Sequence, residues 1–270
     1  MKIYHYTDID SLAMILSTRS IKFNRLDEVD DMEESVESQN VWLGKYAFVS
    51  CWTEDKEESI PLWKMYSGDS HGVRIGMEPD MFEKNIVKDL VLPGGEKMEG
   101  QLTSMLAPQD ILNPDYFIFP FSSELTDLFY CHIDYVDDVK AKTADAFKIW
   151  MTDSTHASAK IAFGEIGKYK NKRWAFQKET RFRIFAQPYN SIYADVNIGT
   201  YALDAYLANK PLPFSHRFIP LRKEVLDEIE ITLHPNSSDS DKVIVEALCS
   251  KYASKATISE SSLKGKVKLK

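Results

Sequence analysis

Apolar residues recur along this chain with two different periods, and each period predicts a different element. Ile3-Tyr4-His5-Tyr6-Thr7 is aromatic and β-branched; extended, it places Ile3, His5 and Thr7 on one face and Tyr4 and Tyr6 on the other. Leu12, Ile15 and Leu16 then recur at helical spacing behind the candidate caps Asp8 and Asp10, and a short strand follows over Ser20 to Asn24. The acidic run Asp27 to Glu34 reads as the start of a second helix carrying Val29, Met32, Val36 and Leu43 on one stripe, since acids in a first turn complement the helix dipole.

Ala47 to Trp52 is nearly continuously apolar and predicts a buried central strand, followed by a polar turn over Thr53 to Glu58. A short helix from Pro61 to Tyr66 leads through the turn Ser67-Gly68-Asp69 into an alternating strand, Gly72 to Met77, which Pro79 ends. The segment 91–120, with Gly94-Gly95, Gly100, Pro108, Pro114 and Pro120, has no clear period and reads as an irregular insertion. Phe129 to Val136 predicts a strand, and Asp138 to Lys170 a long helical stretch with Trp150, Ala157 and Ile161 in one stripe and a potential interruption near Gly164 and Gly167. Glu179 to Ala186 alternates cleanly, with Glu179, Arg181 and Arg183 on one face and Thr180, Phe182, Ile184 and Ala186 on the other. Phe218 to Leu221, a strand over Ile229 to Leu233, a helix with Val243, Ala247 and Leu248 and a last strand near Ala256-Thr257-Ile258 predict a C-terminal β-α-β tail. With no repeat or low-complexity linker, residues 1–270 read as one α+β domain.

Composition narrows the class. At 270 residues, 44% hydrophobic and 27% charged, the chain matches ordinary globular domains, and its longest apolar runs fall short of the roughly 20 residues of a membrane helix. No membrane contact and a cytoplasmic location are therefore expected. A net charge of −8 argues against a broad nucleic-acid surface. Cys51, Cys131 and Cys249 are odd in number and set in apolar segments, so they read as small buried hydrophobes, and no metal is expected. Neither a Walker loop nor Gly-x-Gly-x-x-Gly occurs, which removes kinase and Rossmann readings.

The motif order is familiar. Tyr4-His5-Tyr6-Thr7, Leu12 with Ile15-Leu16, Asp30-Asp31 with Glu34, Phe48 to Glu54, Leu62-Trp63 with Tyr66, His71-Gly72-Val73, and Trp174 with Glu179 and Arg181 resemble the bacterial DUF2971 family, an uncharacterised group. More distantly, a first-strand histidine, a middle strand with hydroxyl and aromatic residues and a late-strand glutamate resemble the order in ADP-ribosyltransferases, including DNA-modifying and tRNA-phosphate-removing branches. That likeness implies a mixed or mainly antiparallel split sheet and a nucleotide such as NAD as substrate, its acceptor unknown.

Breaking the nicotinamide glycosidic bond builds positive charge on the ribose, so such a site needs a fixed carboxylate there and a group holding the sugar hydroxyls. The resemblance assigns these roles to Glu179 and His5, with Thr7 beside them. Trp52 or Tyr66 is the candidate nicotinamide wall, His71 a further binding residue, and Arg181 or Arg74 the candidate partner of the diphosphate. Structural readings stand beside each role: His5 as a hydrogen-bonded sheet residue, Glu179 and Arg181 as an ion pair along one strand, Trp52, Trp63 and Trp174 as core, and His71 as a turn residue. The acidic run is a solvated helix start or a divalent-metal site. The alternatives to an NAD-cleaving enzyme are a non-catalytic nucleotide-binding or sensing protein, for example in phage defence, and a metal-dependent nuclease. Against the nuclease, Glu179-Thr180-Arg181 has arginine where a Glu-x-Lys pair has lysine.

Overall fold

The computed structural model describes residues 1–67, 70–91, 97–119, 127–153, 157–190 and 198–269. Gly68 and Asp69 of the anticipated turn, and Gly94, Gly95 and Pro120 of the 91–120 segment, lie outside them.

Among the described residues, eleven strands form one mixed but mainly antiparallel sheet. In chain order they are β1 (Ile3–Asp8), β2 (Ser20–Arg25), β3 (Ala47–Thr53), β4 (Gly72–Met77), β5 (Leu112–Asn113), β6 (Tyr116–Ile118), β7 (Tyr130–His132), β8 (Glu179–Pro188), β9 (His216–Pro220), β10 (Glu230–Leu233) and β11 (Thr257–Ser259). Their spatial order is β11-β10-β4-β1-β3-β8-β6-β5; β7 also pairs with β8, and β2 bridges β3 to β9.

One edge of β3 is fully paired, from Glu179↔Thr53 to Phe185↔Ala47. The other edge is shared. β1 reaches it only at Tyr4↔Thr53 and β2 only at Asn24↔Val49 and Arg25↔Phe48. Between these contacts the sheet is split, because β1 and β2 are tied to the two ends of helix α1 (Ile9–Thr18) and diverge around it. Asp8 caps α1 by accepting from the Ser11 amide at 2.6 Å, and Arg19 ends it in the left-handed region at φ 50°. Leu12, Ile15 and Leu16 bury the face predicted for them.

The apolar face of the sheet carries an aromatic cluster in which Phe82 meets Phe23, Phe129 and Phe182 at ring separations of 5.0–5.8 Å. The helix Asp239–Tyr252, opened by a Ser238–Asp241 capping box, connects the parallel strands β10 and β11.

Several elements differ from the sequence reading. The anticipated second helix is a series of 3-10 turns, Leu26–Glu28, Met32–Ser35 and Leu43–Tyr46, around a minimal hairpin of Glu37–Ser38 with Val41–Trp42. Gln39 and Asn40 take φ 51° and 63°, the pair of left-handed residues a type I′ turn requires, and Val36 at 44° also stops a helix. Met32, assigned to the apolar stripe, is 88% exposed.

The long helix over 138–170 is instead a short helix, Val139–Thr143, a hairpin of Phe147–Met151 with Ala157–Ile161, and the strand Tyr169–Asn171. Few apolar residues marked its helical stripe, and Phe147-Lys148-Ile149 reads equally as period two. The predicted strand 129–136 divides into β7 and Asp134–Val136, the latter parallel to Tyr169–Asn171. The described part of 91–120 contains the strand Lys97–Ser104, which pairs with Asn85–Val91, and then the hairpin β5–β6 on the sheet edge. A bulge at Asp89, φ 48°, breaks the hairpin's alternation.

Candidate functional site

The split in the sheet opens into a cleft of about 700 Å³, within the roughly 300–1,000 Å³ range of small-molecule sites. His5, Thr7, Trp52, Tyr66, Glu179 and Arg181 all line it.

His5 sits in the split. The carbonyl of Cys51 points where no strand pairs with β3, and the His5 ring fills that vacancy, donating from Nδ1 at 2.8 Å. A carbonyl only accepts, so Nδ1 carries the proton. Burial lowers the His5 pKa below 6.5, and the Cys51 carbonyl and Asp8 offset this only in part. The ring is therefore neutral at pH 7, and Nε2 is left as an acceptor. Trp52 lies at 5.1 Å from the imidazole, buried to 3% exposure, with its indole N–H donated to Ser50 Oγ at 3.0 Å. It packs more than it faces the cleft.

The pleat divides these groups. Pairing of Thr53 with both Tyr4 and Glu179 places Tyr4, Cys51, Thr53, Glu179 and Arg181 on one face, while His5, Thr7, Ser50 and Trp52 belong to the other. Both sets reach one cleft because it runs through the split.

Glu179 and Arg181 form the same-strand pair: Arg181 Nε and Nη2 donate to Glu179 Oε1 at 2.8 and 2.5 Å. Two further charges complete the cluster. Lys170 donates to Glu179 Oε2 at 2.9 Å and lies 3.2 Å from Glu34 Oε1; Arg181 Nη1 donates to Glu34 Oε2 and to the Gly167 carbonyl. All four side chains are at least 95% buried, and their formal charges cancel. Burial alone would raise the Glu179 pKa, but Arg181 and Lys170 overcome it and hold the carboxyl down at about 2. Burial would lower the Lys170 pKa, but Glu179 and Glu34 outweigh it and hold the ammonium above its ordinary value, and Arg181 is held well above its own.

The network runs on to the cleft wall. Lys170 also donates to Gln177 Oε1 at 2.7 Å, and Gln177 Nε2 donates to the Tyr66 hydroxyl at 2.9 Å, beside the Asp30 carboxylate. Tyr66 ends helix α2 (Ile60–Tyr66), which Ser59 caps and Trp63 anchors against Tyr6 at 4.9 Å.

Three sequence assignments change. Arg181 has no exposure and its guanidinium is committed to two carboxylates and a carbonyl, so it is not placed to meet a diphosphate. Arg74 is outside the cleft, donating to the Lys56 carbonyl at 2.9 Å and stacking 4.3 Å from the Tyr4 ring centroid. His71 is also elsewhere: its side chain is 70% exposed and its Nδ1 meets Asp241 at 2.7 Å in a small depression beside the C-terminal helix. The acidic run is no solvated helix start at Glu34, which is fully buried in the ion cluster, and no group of three ligand side chains suited to a metal occurs among the described residues.

The sequence reading passed over Lys170, Gln177, Lys22, Asn24, His216 and Phe218, which also line the cleft or, for Gln177, tie its wall to the ions. Lys170 carried no local signal, because its carboxylate partners Glu34 and Glu179 meet it only through the tertiary fold. The ribbon β2–β9 did carry one: Phe218 shares its strand's polar face with His216 while Ile219 turns inward. Compared with family models, curated proteins and solved structures, the chain matches none.

Proposed function

We propose that the cleft binds NAD or a related nucleotide and that His5 and Glu179 act at its ribose, the roles that the resemblance to ADP-ribosyltransferases implies. The observation that carries this reading is the state of His5. A neutral imidazole with Nδ1–H committed to the Cys51 carbonyl offers Nε2 as a fixed acceptor for a ribose hydroxyl. Glu179 supports it as a carboxylate ionised across the physiological range and held rigid, the kind of group that stabilises an oxocarbenium-like sugar. Tyr66 supplies an aromatic side wall.

A second reading, binding without cleavage, is favoured by the ion cluster. Arg181 and Lys170 occupy both oxygens of Glu179, and the group as a whole is neutral, which weakens the field available to a developing cation. The resemblance to DUF2971 and a proposed sensing role in phage defence are compatible with this reading as with the first. Incubating the protein with labelled NAD separates them. Release of nicotinamide by the wild type and its loss in Glu179→Gln, with NAD still bound, supports ribose chemistry; binding with no turnover in either protein supports the sensor.

A further inference from the structure

The ribbon β2–β9 presents a cleft wall that the ribose chemistry does not use. Lys22 stands directly opposite Phe218 and Asn24 opposite His216, so the register puts all four side chains on one face. That face lines the cleft, while Ile21, Phe23 and Ile219 on the reverse are buried at 0–3% exposure. A face turned to solvent ordinarily carries polar residues, yet Phe218 is 46% exposed there. His216 meets it edge-on at 5.2 Å, leaving a flat aromatic surface open. Lys22 is exposed and has no hydrogen-bond or ion-pair partner among the described residues, and the same holds for the Asn24 side chain. Of the cleft's cationic side chains, Lys170 and Arg181 are consumed by carboxylates.

We propose that the Lys22–Asn24–His216–Phe218 face is a base-and-phosphate subsite that takes the purine nucleotide half of the ligand, its base stacked on Phe218 and its phosphate met by Lys22. An aromatic plane, a free ammonium and an amide with both donors and acceptors match a base, a phosphate and a base edge respectively. Of the acids that share the cleft wall, Glu28 lies 3.6 Å from Arg25, which is itself paired with Asp27, and Asp30 lies beside the Tyr66 hydroxyl. This inference rests on the nucleotide reading of the cleft and assigns the diphosphate's cation to Lys22, where the sequence pointed to Arg181 or Arg74.

Calorimetric titration of the full chain with AMP, ribose 5-phosphate and NAD tests it. Phe218→Ala, a change at an exposed position, weakens AMP and NAD about tenfold and leaves ribose 5-phosphate unchanged, whereas Phe218→Trp retains AMP affinity. Lys22→Ala weakens AMP and ribose 5-phosphate together. No AMP binding at millimolar concentration, or AMP affinity indifferent to Phe218→Ala, overturns the subsite. The two claims fail separately: AMP bound through Phe218 by a protein that never cleaves NAD keeps the subsite and removes the ribose chemistry, and NAD cleavage with AMP indifferent to Phe218 does the reverse.

Discussion

The His5 imidazole completes β3 at the point where the sheet parts, donating from Nδ1 to the Cys51 carbonyl at 2.8 Å. Cys51 thereby stands between the two proposed functional groups, because its thiol lies against the Glu179 carboxylate. This double role of His5, structural at Nδ1 and open at Nε2, is separable. Asn places an amide N–H near the Nδ1 position and has nothing at Nε2. His5→Asn is expected to keep most of the stability, while His5→Ala strands the carbonyl and costs about 1–3 kcal/mol in urea unfolding.

The same ring sets a pH dependence. Its folded pKa is depressed, so the unfolded chain takes up the proton first, and stability falls as pH drops below about 6.5 until the folded value is passed. A proton-detected histidine titration should show the His5 ring protonating below 6.5, with Nδ1–H as the neutral tautomer. A ring that titrates above 6.5 contradicts the burial argument.

Glu179 gives a sensitivity of the same sign in a more acidic window. With a folded pKa of about 2 against an ordinary 4.5, its contribution is complete above pH 4.5 and lost as pH falls toward 2. Its size is on the order of 3 kcal/mol. Glu179→Gln should remove that part of the acid dependence in denaturation curves collected from pH 2 to 6. An unchanged profile means that the carboxyl is not paired as described.

The buried cluster should punish partial removal more than its net neutrality suggests. Lys170→Met leaves Glu34 and Glu179 sharing only Arg181, and loss of one partner from such a group typically costs about 3–5 kcal/mol. Thermal unfolding of Lys170→Met reports it; a loss below about 1 kcal/mol would show that the cluster relaxes into water.

Gly72 explains how the far wall of the cleft is set. A Cβ built there would lie 2.1 Å from Ser67 Cβ and 2.4 Å from the Ser67 carbonyl oxygen, directly after α2. Gly72→Ala must push that helix end, which carries Tyr66, and overpacking of this kind costs about 1–3 kcal/mol. Nucleotide affinity should fall along with stability. Wild-type affinity in a destabilised Gly72→Ala would disconnect Tyr66 from the ligand.

Elements with a strong local period were legible from sequence: β1, α1, β3, β4 and β8 fall where alternation or helical spacing placed them. The charged face of β8 was read correctly as Glu179, Arg181 and Arg183. What that face does was not legible. Burial of Arg183, which binds the carbonyls of Asp127, Gly164 and Ile166, and of Arg181 depends on chain brought over it from elsewhere. The hairpin at 37–42 was missed for a different reason: its strands are two residues each and its turn residues, Gln39 and Asn40, are not the usual glycine pair. Residues grouped as a site by motif order alone were brought to one cleft when they lay on β1, β3, α2 or β8, whereas His71 and Arg74, at the far side of β1, were not.

Titration calorimetry of NAD against the wild type and His5→Asn tests the central claim most directly. Measurable binding by the wild type, reduced tenfold or more in a folded His5→Asn of near wild-type melting temperature, is the predicted result. Equal affinity in the two proteins, or no binding of NAD by the wild type at millimolar concentration, would contradict it.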